Sequence, residues 1–297
     1  MSYVVFARRY RPYRFEDVVG QRPIATTLQN AITSDRVAHA YIFSGPRGVG
    51  KTSMARILSG ALNCEKGISE NPCGKCDSCR RIANGDDMDV IEIDGASNNR
   101  VEEARELIEN ASYSTARSRY KIYIIDEVHM VTRQAFNALL KTIEEPPPHV
   151  KFILATTEPY RIPDTIHSRC QRFDFRAVSV NDIVSRLQTI CGEEMVDISA
   201  ETLQKVARMS SGGMRDAISL LDQLVSFAGK NPQPEDLNTL TGMVPEETIL
   251  RVLSAVSQED KGKVLQVIEE LFATETGVLE LLEGLRRMVR DMIVLKT

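Results

Sequence analysis

"GPRGVGKT", Gly45 to Thr52, follows the apolar run "AYIFSG" (Ala40–Gly45) and opens a segment in which Met54, Ile57, Leu58, Ala61 and Leu62 recur at helical spacing. The pattern Gly45-x-x-x-x-Gly50-Lys51-Thr52 is a phosphate-loop signature, and strand before with helix after is the context that signature needs. A loop of Gly45, Pro46, Arg47, Gly48, Val49 and Gly50 can turn its backbone N–H groups inward around phosphate oxygens. Lys51 would then reach the β- and γ-phosphates, the Thr52 hydroxyl would bind Mg²⁺, and the helix N-terminus would add its dipole. A glycine-rich turn of no further use is the plain alternative, and the flanking strand and helix weigh against it.

Working outward, "DVIEID" (Asp89–Asp94), "KIYIID" (Lys121–Asp126) and "KFILATT" (Lys151–Thr157) are short, β-branched and nearly continuous in apolar character. Such runs suit parallel strands covered on both faces. Amphipathic helices lie between them; one carries Ala135, Phe136, Leu139, Leu140 and Ile143 and is stopped by Pro146–Pro148. The alternation predicts an α/β domain with a doubly wound parallel sheet, ending near Arg176 and bounded at 1–177. Beyond it the strand signals fade. "SAETLQKVARMSSGGMRDAISLLDQLVSF" reads as two helices broken at Gly212–Gly213, and "PQPEDLNTLTGM" as a third, giving a small helical domain over 178–242. Two or three further amphipathic helices fill 243–297; helices this apolar want partners, so this third domain is expected to be incomplete.

The phosphate loop asks for acidic partners on another strand end. "IYIIDE" releases Asp126 and Glu127 together, at the carboxyl end where ligands of α/β sheets bind. Asp126 would hold Mg²⁺, usually through water, and Glu127 would orient or deprotonate an attacking water. "LATTEP" places Thr157, or its neighbour Thr156, at a third strand tip, within reach of a γ-phosphate or that water. No N-K-x-D guanine signature occurs, so ATP is preferred over GTP by that absence alone.

Four of the six cysteines crowd into "CEKGISENPCGKCDSC". The spacing Cys64-x₈-Cys73-x₂-Cys76-x₂-Cys79 permits four thiolates on one metal, a closed structural zinc site, with an iron–sulfur cluster as the alternative. The segment has few large apolar residues, so a metal must fold it. Cys170 and Cys191 read as small buried hydrophobes.

The 297 residues exceed what one core usually organises, consistent with two or three domains. No apolar run approaches a membrane span, and "MSYVVFARRYRP" lacks a secretory pattern. A cytoplasmic chain with no membrane contact is expected, where clustered thiols bind metal more often than they pair. Net charge is −4, so a broad basic surface is not indicated and any nucleic-acid contact must be local.

"GPRGVGKT", "IYIIDEVHM", "FNALLKTIEEPP", "FILATTEP", "HSRCQRF" and "GGMRDAISLLDQ", in this order, together with the opening "RRYRPYRFEDVVGQ" and the cysteine insertion, resemble the bacterial DNA polymerase III clamp-loader ATPase subunits of gamma/tau type, within the AAA+ family. The resemblance runs from the N-terminus to at least Gly242. It implies a P-loop AAA+ domain with a zinc module at 64–79, a helical lid at 178–242 and the start of a collar domain for oligomerisation. It implies an ATPase, turning ATP and water into ADP and phosphate, with no polymerase active site in this chain. Partners would be related AAA+ subunits in a homo- and hetero-oligomer, a sliding clamp and primed DNA, in DNA replication. Arg169 resembles the arginine finger that enters a neighbouring subunit's site, and Arg215 the second sensor of its own subunit. Arg11, Pro12, Val18 and Val19 resemble the wall that accepts adenine. Arg100 and Arg105, near a helix start, could meet DNA phosphates or simply form a solvated face beside glutamates. A different AAA+ motor such as a branch-migration helicase, and a nucleotide-locked scaffold without hydrolysis, are the rival readings. "DEVH" suggests a DExH helicase only superficially, since no second motor domain is present.

Overall fold

The computed structural model describes residues 3–97, 101–242, 244, 246–272 and 278–296. The chain divides into two compact units, one of residues 1–187 with 206–219, the other of residues 188–205 with 220–297.

In the first unit α1 (Phe6–Arg9) and α2 (Arg22–Thr33) precede β1 (Ala40–Ser44), α3 (Lys51–Asn63), α4 (Asp77–Asn84), β2 (Val90–Asp94), α5 (Val101–Ser112), β3 (Lys121–Asp126), α6 (Arg133–Glu144), β4 (Val150–Thr156), α7 (Asp164–His167) and β5 (Gln171–Asp174). All strand pairings are parallel, in the order β2-β3-β4-β1-β5. Side chains alternate faces along each strand, so each strand feeds two cores. Tyr41, Phe43, Ile122, Ile124 and Ile153 join α2 and α3 on one face; Ile42, Tyr123, Ile125, Phe152 and Leu154 join α5 and α6 on the other. Burial of both faces is why β1, β3 and β4 carry apolar residues without a break.

The sequence reading finds four of these five strands. It misses β5, whose "QRFD" buries only Phe173 because the strand lies at the edge beside β1. At the opposite edge β2 alternates between covered and open positions, as a strand with one neighbour does, and is not covered on both faces as its apolar run suggests.

After β5 the chain is helical: α8 (Val180–Glu194), α9 (Ala200–Met209), α10 (Met214–Ala228), α11 (Pro234–Thr241), α12 (Glu246–Ser257), α13 (Lys261–Phe272) and α14 (Val278–Lys296). The break between α9 and α10 falls at Gly212–Gly213 as expected. A Cβ on Gly212, whose φ is +85°, would stand 2.6 Å from that of Ala177. In the second unit Val244, Ile249, Val252, Val267, Leu271 and Leu281 form a core shared by α12, α13 and α14. No helix among the described residues is long and apolar enough to cross a membrane.

Candidate functional site

The carboxyl ends of β1, β4 and β3 lie side by side, with β4 in the middle, and the phosphate-loop, threonine and acidic segments leave the sheet there. The loop Gly45–Gly50 is made of positive-φ turns. Gly45 sits at φ +146°, and a Cβ there would meet the Phe175 carbonyl oxygen at 2.4 Å; Gly48 and Gly50 also have positive φ. Only glycine holds such a path without strain. Lys51, 6% exposed, opens α3 and donates from Nζ to the Gly45 and Pro46 carbonyls at 2.7 and 2.8 Å. Burial lowers its pKa, and the Glu127 and Asp126 carboxylates oppose that shift.

Thr52 Oγ1 donates to Asp126 Oδ2 at 2.6 Å, and Thr157 Oγ1 to Glu127 Oε2 at 3.0 Å. Of the two candidate threonines, Thr157 is the one that meets the acidic pair. Thr156, fully buried, faces His129 Nδ1 at 3.0 Å and accepts from the Glu158 amide. Glu127 occupies the left-handed region at φ +45°. Such strain in a non-glycine residue persists only where the surroundings fix it, and it concentrates at working sites.

Arg215, in the first turn of α10, donates its backbone N–H to Gly48 O, and Asp216 Oδ2 lies 3.0 Å from where a Gly48 Cβ would stand. Arg11 is brought near as well. Burial lowers its pKa, chiefly, with Arg56 and Arg215 adding to the shift and Glu92 and Asp126 opposing it. Val18 stands beside Gly50, its Cγ1 3.2 Å from a built Cβ. Val19 is half-buried, and Pro12 lines a small hollow with Arg11, Arg56 and Pro72. Arg169 is held elsewhere: its guanidinium bonds Thr165 O at 2.7 Å and Glu144 Oε1 at 2.8 Å. Arg105 is exposed on α5, and Arg100 lies outside the described residues.

This set can bind a polyphosphate with a divalent cation. The glycine-bordered loop supplies amides and a buried ammonium, and Thr52 with Asp126 supplies a hydroxyl and carboxylate pair of the type Mg²⁺ takes. Glu127 adds a carboxylate positioned for proton transfer. Sequence reasoning misses His129; "DEVHM" carries no spacing signal for it, because its role depends on a turn that only the fold reveals.

The four cysteines converge. Their Sγ atoms all lie within 4.8 Å of one another, with Cys73 and Cys79 at 4.0 Å. Tetrahedral zinc with bonds of about 2.3 Å sets its sulfurs about 3.8 Å apart, so one ion fits the group. A cluster of several irons would hold the thiolates farther apart. Amides at Cys76 and Cys79 donate to the sulfurs of Cys73 and Cys76, each at 3.4 Å. The Cys73 thiol is lowered to about 6 by the Lys75 and Cys76 backbone N–H groups, whereas burial raises that of Cys79. Cys191 is buried and Cys170 partly so.

Residues 20–179 match the family model "DNA polymerase III, delta subunit", and 182–230 that of "DNA polymerase III clamp loader subunit, ATPase lid domain". The chain is 47% identical over its full length to the DNA polymerase III subunit tau of Bacillus subtilis, covering 53% of that protein. It is 45% identical over 97% of its length to the Escherichia coli tau subunit, covering 45% of it. It is 42% identical over 91% of its length to a gamma subunit of Buchnera aphidicola, covering 75% of it. The chain therefore spans about half the length of these tau relatives. Among solved structures, the Holliday junction branch migration motor RuvB of Thermotoga maritima superposes with a TM-score of 0.58 at 16% identity, over 83% of this chain and 79% of that one. That likeness speaks for an AAA+ fold alone.

Proposed function

The chain belongs to the DNA polymerase III tau/gamma subunit family, and from that premise we propose that it is an ATP-hydrolysing motor subunit of a clamp loader. One observation carries the proposal. Lys51, Thr52, Asp126, Glu127 and Thr157, spread over more than a hundred residues of sequence, meet at adjacent strand ends with their hydroxyls already paired to the two carboxylates.

In this reading the loop amides and Lys51 take the β- and γ-phosphates of ATP. Thr52 and Asp126 would hold Mg²⁺, which would supply positive charge against the charge developing on the phosphates. Glu127 accepts a proton from the attacking water as its oxygen bonds to the γ-phosphorus and the bond to the bridging oxygen breaks, leaving ADP and phosphate. Thr157 keeps the Glu127 carboxylate in place. Arg215 reaches the γ-phosphate from a helix whose backbone is tied to the phosphate loop at Gly48, so nucleotide state can bias the angle of that helix. Val18 and Val19, with Arg11 and Pro12, form the adenine side.

Arg169 serves a neighbouring subunit. Its guanidinium bonds Thr165 and Glu144 and makes no hydrogen bond to the phosphate-loop or acidic-pair residues of its own chain among the described residues, which supports that reading. The active form is therefore an oligomer of this chain with related subunits, acting on a sliding clamp and primed DNA in the cytoplasm. We assign residues 1–177 to the ATPase domain, 178–242 to the lid and 243–297 to the start of a collar. The four cysteines bind structural zinc, leaving no open coordination position for catalysis.

The test mixes the chain with its candidate clamp and companion subunits and measures phosphate release with and without primed DNA. Turnover stimulated by clamp and DNA, and lost in Glu127→Gln, is expected. Equal inertness of wild type and Glu127→Gln would leave only a nucleotide-locked scaffold.

A further inference from the structure

Between the acidic pair and α6 the chain makes one tight turn, Val128–Met130, closed by the Met130 amide on Glu127 O at 2.9 Å. Val128 is fully buried under the α6 face of the sheet, which anchors the turn. The left-handed backbone at Glu127 reverses the chain, and His129 is carried back over the tip of β4. Its side chain is only 6% exposed. Both ring nitrogens nonetheless meet polar atoms: Nδ1 lies 3.0 Å from Thr156 Oγ1 and 3.3 Å from Glu127 Oε2, and Nε2 lies 3.5 Å from Glu158 Oε1. A histidine that merely filled space would not be met by a hydroxyl and two carboxylates.

The contacts divide the Glu127 carboxylate into two unequal oxygens. Oε2 is approached from both sides, by Thr157 Oγ1 at 3.0 Å and by His129 Nδ1. Oε1 takes no hydrogen bond among the described residues and keeps its lone pairs for a water proton. The geometry points to His129 as a positioning residue: Nδ1, anchored on Thr156 Oγ1 and 3.3 Å from Glu127 Oε2, keeps the other oxygen of Glu127 toward the attacking water, while Glu158 faces Nε2 on the far side of the ring. Since Thr156, Thr157 and Glu158 are consecutive at the end of β4, the carboxylate is set from that strand tip. An active carboxylate displaced by about 1 Å can cost about a hundredfold in rate. This inference rests on the ATPase reading above.

The test uses the assembled complex with clamp and primed DNA, and measures kcat and KM for ATP together with nucleotide affinity. His129→Ala should lower kcat by about ten- to hundredfold, about what a buried polar contact to a charged group contributes, with nucleotide affinity unchanged. His129→Asn, whose amide reaches the position of Nδ1, should recover most of the rate. His129→Gln, whose amide reaches that of Nε2, should not. A wild-type kcat in His129→Ala overturns the assignment, as does Gln restoring the rate as well as Asn. Should Ala also lose nucleotide binding, the Asn and Gln pair decides: Asn fast and Gln slow supports the assignment, and equal rates overturn it. An inert wild-type assembly would instead remove the ATPase reading itself, and this inference with it.

Discussion

Thr52 and Asp126, 74 residues apart in the chain, are joined by a 2.6 Å hydrogen bond between the first turn of α3 and the end of β3. The bond brings together a hydroxyl and a carboxylate, oxygen donors of the kind a hard divalent cation takes. Asp126→Asn keeps a polar group beside Thr52 but removes the charge that Mg²⁺ needs. Turnover should fall by about a hundredfold or more, reflecting the several kcal/mol that a bound metal supplies. Stability should change by less than about 1 kcal/mol, because the contact is partly open. Phosphate release titrated against Mg²⁺, beside a denaturation curve, checks both halves.

Arg169 belongs to a different test, because its partners Glu144 and Thr165 are not those of its own phosphate loop. Arg169→Ala should leave ATP binding by the isolated chain intact and lower turnover of the assembly by about a thousandfold, within the range of an arginine finger. Arg169→Lys should recover little, since an ammonium cannot reproduce the planar fork. Undiminished hydrolysis in Arg169→Ala assemblies would mean that each subunit works alone.

The parts of the site that sequence revealed are those in which chemistry and backbone geometry coincide. Glycine is required at Gly45 because a side chain would strike the Phe175 carbonyl, and an apolar strand ending in Asp126 and Glu127 must release both at the same sheet edge. Covered on both faces, β1, β3 and β4 were legible as apolar runs. The edge strand β5 was not, having one buried side chain in four residues. His129 stayed hidden for another reason. Its importance comes from the left-handed Glu127 and from Thr156 at the end of the next strand, neither of which any local spacing encodes.

The thiol cluster gives a prediction independent of ATP. Cys64 ends α3 and Cys76 caps α4, so a shared ion would clamp the start and end of the insertion together. One zinc per chain is expected, released by a strong chelator or by acid, since thiolates must shed protons to bind. Cys73→Ser should lower zinc content and open residues 64–85 to protease while ATP binding persists. Chromophoric zinc titration with limited proteolysis would show it. Full zinc retention in Cys73→Ser would exclude the four-thiolate site.

Asp89 links the stability of the fold to pH. The residue is 1% exposed, and its carboxylate accepts from the Ala116 amide at 2.7 Å and from those of Arg117 and Ser118 at 2.8 Å each, fastening the loop before β3 to the start of β2. Burial acts to raise its pKa, but the three backbone N–H donors prevail and hold it below the ordinary carboxylate value. A depressed carboxylate stabilises the fold above its unfolded value, about 3.9, and loses that contribution as pH falls through the lower folded value. Asp89→Asn should therefore cost about 2 kcal/mol at neutral pH, since an amide turns one donor toward donors. The gap between wild type and variant should narrow as pH drops below about 4. Urea denaturation of both proteins at pH 7 and pH 3.5 provides the comparison. A constant gap across that range would mean that Asp89 contributes through shape rather than charge, and that the loop is held by something other than these three amides.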